Sequence, residues 1–544
     1  MLPSPSHPIG AAVRGPLTRR RLLAMIGVSA GSSLMYQAAS SLGLAAESEF
    51  KGPPALSAAP AGASVLILGA GVAGLVAAYE LSKAGYRVQV LEYRDRPGGR
   101  CWTLRGGDVY TELGGFTQTV GFDPGNYVNP GPWRIPHHHH GVMHYCMTLG
   151  VPLEPFTQVN YNAYVHSKDA FGGKPVRYRE VEADFQGHVA DLLAKLAHKG
   201  GLDGLVEKED TERLLEALRD WGALDREMQY RAGGESSMRR GFARPPGGGL
   251  SGEPVPSEPI GFADILRSGL WRQIAAGNEL EFQTTLFQPV GGMDRVAYAL
   301  AEQVKDRIRY GARVRGIHQD DSGVTVSFDD GKGGGPEMAR ADWCLCTIPL
   351  SVLSQIPLNV GPDMAHAIAA VPYEASLKIG LQFKRRFWEQ DDAIYGGMSY
   401  TDLPISLIGY PNTGYGSKGK AVLLGAYAWG PYAYEFSAMP PEERVRRAVE
   451  FGAQIHPQYR EEFDCGVAVA WHRVPWTMGC FGHWTEKTRA QHYRNLCQID
   501  GRILLAGEHA SYLPAWQEGA VTSALDAITR LHQRIVAQPA PSKT

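Results

Sequence analysis

The chain has 544 residues, past the size at which one hydrophobic core stops growing, so two or three packed substructures are expected. Hydrophobic residues make up 44% and charged residues 20%, ordinary globular values that exclude a mostly disordered or fibrous chain. With 54 Lys and Arg against 56 Asp and Glu the net charge is −2, so nothing global points to nucleic acid or to an anionic membrane.

In chain order, residues 1–46 read as an address. Thr18-Arg19-Arg20-Arg21-Leu22-Leu23 sets an arginine pair ahead of a weakly apolar run, 22–35, and a small-residue stretch ends near Ala45 and Ala46. That order is n-region, h-region and cleavage site. The run is broken by Gly27, Ser29, Gly31, Ser32 and Ser33, so it is too short for a permanent membrane span, and with the paired arginines it resembles a twin-arginine signal. A periplasmic or secreted protein is expected. Residues 47–62, rich in Pro, Ala and Ser, read as a flexible linker.

Ser64–Leu68 is a short β-type run that feeds Gly69-Ala70-Gly71-Val72-Ala73-Gly74; a helical pattern then reaches Lys83, and a second strand, Arg87–Leu91, ends in Glu92. The spacing predicts a strand, turn, helix and strand unit that binds a dinucleotide. Gly69 permits the tight turn, Gly71 lets the backbone approach a pyrophosphate, and Gly74 lets helix and sheet pack closely. Glu92 is spaced to accept hydrogen bonds from the adenosine ribose. Arg96-Pro97-Gly98-Gly99-Arg100 adds a second glycine turn, and Arg100 carries a charge that can meet the pyrophosphate.

Glu92 followed by Pro97-Gly98-Gly99-Arg100 resembles the flavin amine oxidase superfamily, which includes monoamine, polyamine and L-amino acid oxidases, all of which bind FAD. The resemblance runs from about Ser64 to about Ile535 and implies an α/β plus α+β fold: a Rossmann-type FAD-binding domain, a mixed-sheet substrate domain and a helical insertion. The FAD domain is expected at 63–105, 286–371 and 495–536, the substrate domain at 106–185 and 372–494, and the helical domain at 186–285, with helical patterns at 182–198 and 210–223. The return through Gln288-Pro289-Val290-Gly291-Gly292 and Gly311-Ala312-Arg313-Val314 implies that the backbone at Val314 meets the adenine. Gly507-Glu508 and Trp516-Gln517-Glu518-Gly519-Ala520 resemble the C-terminal FAD motif, with the helix start at Ala520 facing the electron-rich end of the flavin.

Gly131-Pro132-Trp133-Arg134-Ile135-Pro136 resembles the L-amino acid oxidase motif whose arginine pairs with the substrate α-carboxylate, which makes Arg134 the carboxylate anchor. A simple amine has no carboxylate, and a buried guanidinium without a partner costs several kcal/mol. The competing reading is an internal salt bridge. Lys378, among Leu377, Ile379 and Leu381, stands where the family keeps a lysine that holds a water near flavin N5. Tyr410, Phe481 and Trp516 match pocket-wall positions.

The resemblance therefore implies oxidative deamination of an L-amino acid, with dioxygen as the second substrate and 2-oxo acid, ammonia and hydrogen peroxide as products. An amine oxidase or a decarboxylating amino acid 2-monooxygenase is the alternative on the same fold. A homodimer is the expected assembly. His137 to His140 with His144 suggest metal by composition, but no Cys or acid stands at ligand spacing, so no metal is expected and a helix N-terminal segment beside Arg134 is favoured. The seven Cys are too scattered for a disulfide framework. Cys480 matches the position where monoamine oxidases attach their flavin covalently; noncovalent FAD is the expectation.

Overall fold

The computed structural model describes residues 47–203, 206–331 and 333–537, so the signal reading at 1–46 lies outside the described residues. Strand β1 (Ser64–Leu68) is buried at all positions, the pattern of a parallel strand covered on both faces. Because alternate side chains leave a strand on opposite sides, Val65 and Ile67 enter one core while Leu66 and Leu68 enter another. The first core holds α1 (Val72–Lys83) and the C-terminal helix Gln517–Val536. The second holds an antiparallel layer made of Arg313–Asp320, Gly323–Asp329 and Glu337–Ala341.

Strand β2 (Arg87–Leu91) pairs parallel with β1. Ile308–Arg309, Trp343–Cys346 and Ile503–Leu505 complete a five-stranded parallel sheet in the order 308–309, β2, β1, 343–346, 503–505. Stretches separated by hundreds of residues thus meet in one dinucleotide-type layer.

Helix α2 (His140–Thr148) starts within the histidine run. Helix α3 (Tyr178–His198) starts one turn before the predicted position, because the Glu180 carboxylate accepts the Arg177 N–H at 3.1 Å and caps it. The next helix, Lys208–Gly222, closes at Ala223 in the left-handed region, φ 50°.

Strand β3 (Ser376–Phe383) is buried at all positions and lies between Ala421–Trp429 and Phe463–Ala470, antiparallel to both. These belong to a seven-stranded sheet that is mixed, since Tyr164–His166 runs parallel to Met398–Thr401. A small third sheet pairs Ile135–Pro136 with Leu286–Pro289, and that strand with Leu153–Phe156.

Residues 47–62, expected as a linker, are instead fastened to the parallel-sheet domain. Ser48 Oγ donates to Glu518, Ser57 Oγ bonds His532 Nε2 at 2.8 Å, and Phe50, Leu56 and Ala59 pack on the first core. Scattered apolar residues in a Pro-rich stretch carry no periodicity, so composition alone concealed this docking. Among the described residues no helix is long and apolar enough to cross a membrane.

Candidate active site

The first glycine turn is built by necessity. Gly69 sits at φ +107°, and a Cβ there would lie 2.6 Å from Thr347 Oγ1. A Cβ on Gly74 would lie 1.9 Å from the Gly69 carbonyl oxygen, so only glycine lets α1 pack there. Gly71 is different: a Cβ would meet nothing within 4 Å. It faces open space at the N-terminus of α1, where no side chain caps the helix and no acid occupies the first turn. Unsatisfied N–H groups and the positive end of the helix dipole suit that space to an anion.

Glu92 is buried beside this turn, and its carboxylate accepts the N–H groups of Ala70 at 2.6 Å and Arg94 at 2.8 Å. Burial pushes its carboxyl up from the ordinary value, opposed by those two bonds and by Arg94 and Arg96. The second glycine turn folds back on the first: Gly98 N–H donates to Ala70 O at 2.8 Å, and the Cβ direction of Gly99 points 3.5 Å from Gly71 Cα. Val314 is buried on Arg313–Asp320 of the antiparallel layer. An open glycine, an uncapped helix start and an acid at the end of β2 fit the adenosine diphosphate half of FAD.

Arg100 was expected to face the pyrophosphate. Its Nη1 donates to Glu508 Oε1 and to the Cys480 carbonyl oxygen, each at 2.7 Å, so two sequence-predicted cofactor residues engage each other. Glu508 also accepts the N–H groups of Gly482 at 3.2 Å and Ala515 at 3.3 Å. The pair ties the glycine turns to the C-terminal motif. There, Gly519 has no room for a Cβ, which would sit 2.1 Å from Leu513 O, and Ala520 follows in the first turn of a helix that no side chain caps.

Arg134 immediately precedes Ile135–Pro136, whose pairing with Leu286–Pro289 brings the segment before Leu286 alongside it. The guanidinium lies 4.5 Å from the Phe282 ring and 5.5 Å from the Trp516 ring. Its Nε is sealed from solvent without a hydrogen-bond partner, and no ion pair holds the group among the described residues. Burial lowers its pKa, countered by Tyr427, Tyr400, Glu279 and Glu281. The internal salt bridge weighed from sequence is therefore not formed.

Lys378, on β3, is 3% exposed; Nζ donates to Gly131 O at 2.6 Å and lies 4.3 Å from the Tyr427 ring and 5.2 Å from that of Trp133. Burial pushes it down to about 7, with Arg134 adding to the effect and Cys480 opposing it. Phe481 is fully buried at the end of an aromatic row: Trp133 to Tyr427 at 6.3 Å, Tyr427 to Trp429 at 4.8 Å, and Trp429 to Phe481 at 5.8 Å. Tyr410 lies elsewhere. Its hydroxyl bonds Ser399 Oγ and His456 Nε2, each at 2.6 Å, inside the core around β3, and His456 bonds Asp392 at 2.9 Å.

Several residues here were given no role of their own in the site from sequence. Trp133, Tyr400 and Phe282 share one apolar cluster, and His139, the residue before α2, sets its ring 4.9 Å from Trp516 with Nε2 unpartnered. Tyr427 and Trp429 alternate along Ala421–Trp429, a period that could have marked them as one face. Among the described residues no group of three or more His, Cys, Asp or Glu is placed to hold a metal ion.

The chain is similar to several known oxidases. An L-amino-acid oxidase of Siganus canaliculatus is 27% identical over 478 residues, covering 86% of this chain and 85% of that protein. L-amino acid oxidase Bs29 of Bothriechis schlegelii is 29% identical over 475 residues, covering 85% and 89%. Among solved structures, wild-type putrescine oxidase bound to putrescine superposes with a TM-score of 0.57 at 20% identity, covering 88% of this chain and 99% of the other. Cyclohexylamine oxidase from Brevibacterium oxydans IH-35A superposes with a TM-score of 0.58 at 18% identity, covering 87% and 100%. At those identities the likeness concerns the fold. The family model described as flavin containing amine oxidoreductase matches residues 72–531, and the chain belongs to that family of flavin-dependent enzymes.

Proposed function

We propose that the protein is an L-amino acid oxidase, converting an L-amino acid to the 2-oxo acid, ammonia and hydrogen peroxide. The observation that carries this reading is Arg134: a guanidinium set against two aromatic rings, with an Nε that has no partner and no ion pair among the described residues. A substrate α-carboxylate supplies the missing hydrogen-bonded partner, whereas a simple amine leaves Nε without one. The L-amino acid oxidases at 27% and 29% identity support the same choice. Bound FAD supplies the hydride acceptor and the route of electrons to dioxygen.

The chain's own residues perform the rest. Arg134 fixes the carboxylate, and thereby the direction in which the Cα–H bond points. Trp516, Phe481 and the row from Trp133 to Trp429 exclude water from the reacting centre. With its amine near 7, Lys378 is about half uncharged at neutral pH; Nζ can then accept a hydrogen bond from a water while donating to Gly131 O.

FAD is held without a covalent bond in this reading. Burial raises the Cys480 thiol to about 11, which leaves little thiolate to attack a flavin. Export by the twin-arginine route, from Arg19-Arg20, and a homodimeric assembly complete the proposal. The test is a product assay across the twenty L-amino acids and their decarboxylated amines. Equal amounts of 2-oxo acid and peroxide from an amino acid support the oxidase. Aldehyde formed from amines, or an amide formed from amino acids, would replace it with the amine oxidase or the monooxygenase.

A further inference from the structure

The stretch that packs beside Arg134 is acidic. The pairing of Ile135–Pro136 with Leu286–Pro289, extended by the His137 N–H bond to Thr285 O at 3.2 Å, sets the turns preceding Leu286 beside the anchor. Two short turns, Ala276–Asn278 and Leu280–Phe282, form that stretch, and the Phe282 ring lies 4.5 Å from the guanidinium. Tyr178 of α3 holds the preceding helix, Trp271–Ile274, through its hydroxyl, which donates to Ile274 O at 2.6 Å.

Two carboxylates stand on these turns within electrostatic reach of Arg134, those of Glu279 and Glu281. Glu279 has a cation of its own: Arg272 Nη2 lies 3.5 Å from its Oε1. Glu281 does not. It is 4% exposed, and among the described residues no other side chain bonds its carboxylate; only its own backbone N–H does. Burial and the neighbouring Glu279 raise its pKa, while Arg134 lowers it.

The charges can be paired off. Once Arg134 takes the substrate α-carboxylate, and Arg272 offsets Glu279, the carboxylate of Glu281 remains as a buried anion without a counter-ion. Such a group either takes up a proton or receives a cation. An L-amino acid whose side chain ends in an ammonium or guanidinium delivers that cation into the pocket in the same binding event that satisfies Arg134.

We infer that Glu281, supported by Glu279, is a specificity-determining residue that selects L-amino acids with a cationic side chain: L-lysine, L-ornithine or L-arginine. The inference rests on the L-amino acid oxidase reading and adds the side-chain class to it. Discrimination arises because a cationic side chain gains a buried ion pair with Glu281, whereas an uncharged one leaves the carboxyl to take up a proton and gains no such pair.

The experiment compares kcat/KM of the holoenzyme for L-lysine, L-ornithine and L-arginine with that for L-norleucine, which has a similar chain and no charge, by peroxide release. At least one cationic substrate is expected to exceed L-norleucine by about tenfold or more, and Glu281→Gln is expected to shrink that ratio by about tenfold or more. The wild-type ratio needs no variant, so a misfolded Glu281→Gln does not rescue the idea. L-Norleucine equal to or better than all three cationic substrates overturns the inference while leaving the amino acid oxidase reading intact. Oxidation of cadaverine or agmatine without any 2-oxo acid from the amino acids overturns the underlying reading instead.

Discussion

Replacing Arg134 tests the substrate class directly. In the substrate-free protein its Nε has no partner, its guanidinium lies against the rings of Phe282 at 4.5 Å and Trp516 at 5.5 Å, and among the described residues no ion pair holds it, Glu279 and Glu281 acting on it only at longer range. Such contacts contribute about 0.5–1 kcal/mol each at exposed sites and about 2 kcal/mol when desolvated, but removal of a desolvated charge offsets much of that, so Arg134→Ala should alter the stability of the substrate-free enzyme little. The loss appears on binding. Truncating one side of a buried charge-assisted pair costs about 2–5 kcal/mol, or roughly 30- to 5000-fold in kcat/KM. Arg134→Lys should recover only part, because a point charge reproduces neither the planar fork nor the stacking. The assay is peroxide release by wild type and both variants at matched flavin content, using an amino acid and its decarboxylated amine. The amino acid should lose its advantage, and the amine should not become a worse substrate. Equal loss on both substrates, accompanied by a drop in melting temperature, would mean that Arg134 is structural and would refute the reasoning.

Lys378 should report on pH in two ways. Its amine lies near 7 in the folded enzyme against 10.5 ordinarily, so the unfolded chain binds the proton more tightly across that window. Folding stability attributable to this lysine is therefore fully present above about 10.5 and is lost as pH falls through about 7; the stability gap between Lys378→Met and wild type should be widest below 7 and close with rising pH, and a gap independent of pH in chemical denaturation would contradict it. The kcat profile of wild type should carry an inflection near 7 that Lys378→Met lacks, and an inflection retained by the variant would assign it to another group. Acid precipitation should leave the flavin colour in the supernatant, and Cys480→Ala should retain FAD; colour remaining in the pellet of wild type but not of Cys480→Ala would establish a covalent bond. Replacing Arg19 and Arg20 by Lys should leave unprocessed protein in the cytoplasm, with unchanged export removing the twin-arginine reading.

How much was legible from the sequence follows from how far apart the cooperating groups lie along the chain. The cradle from Gly69 to Glu92 was readable because its constraints are local. Gly74 is forced by an oxygen five residues earlier, and Glu92 closes on the N–H of Ala70 at the foot of the adjacent parallel strand. A contiguous motif of this kind fixes geometry and composition together, so strand, turn, helix and acid could be assigned before any tertiary contact was known. Arg134 was singled out on a different ground, the resemblance of Gly131-Pro132-Trp133-Arg134-Ile135-Pro136 to a family motif, and not through any local constraint on the backbone.

What surrounds these groups was decided only by the tertiary fold. No local pattern tells Arg100 to pair with Glu508, or turns the Tyr410 hydroxyl toward His456, because each pair is brought together by strand order rather than by spacing. Nor does a sequence period mark Glu281 and Phe282 as neighbours of Arg134. They arrive through the register of Ile135–Pro136 against Leu286–Pro289, across a separation that contains the whole helical insertion. Cofactor chemistry is thus written in short motifs, where backbone sterics act over a few residues. Selection of the substrate side chain depends on whether a buried charge finds a counter-ion, and that is known only when distant segments have packed.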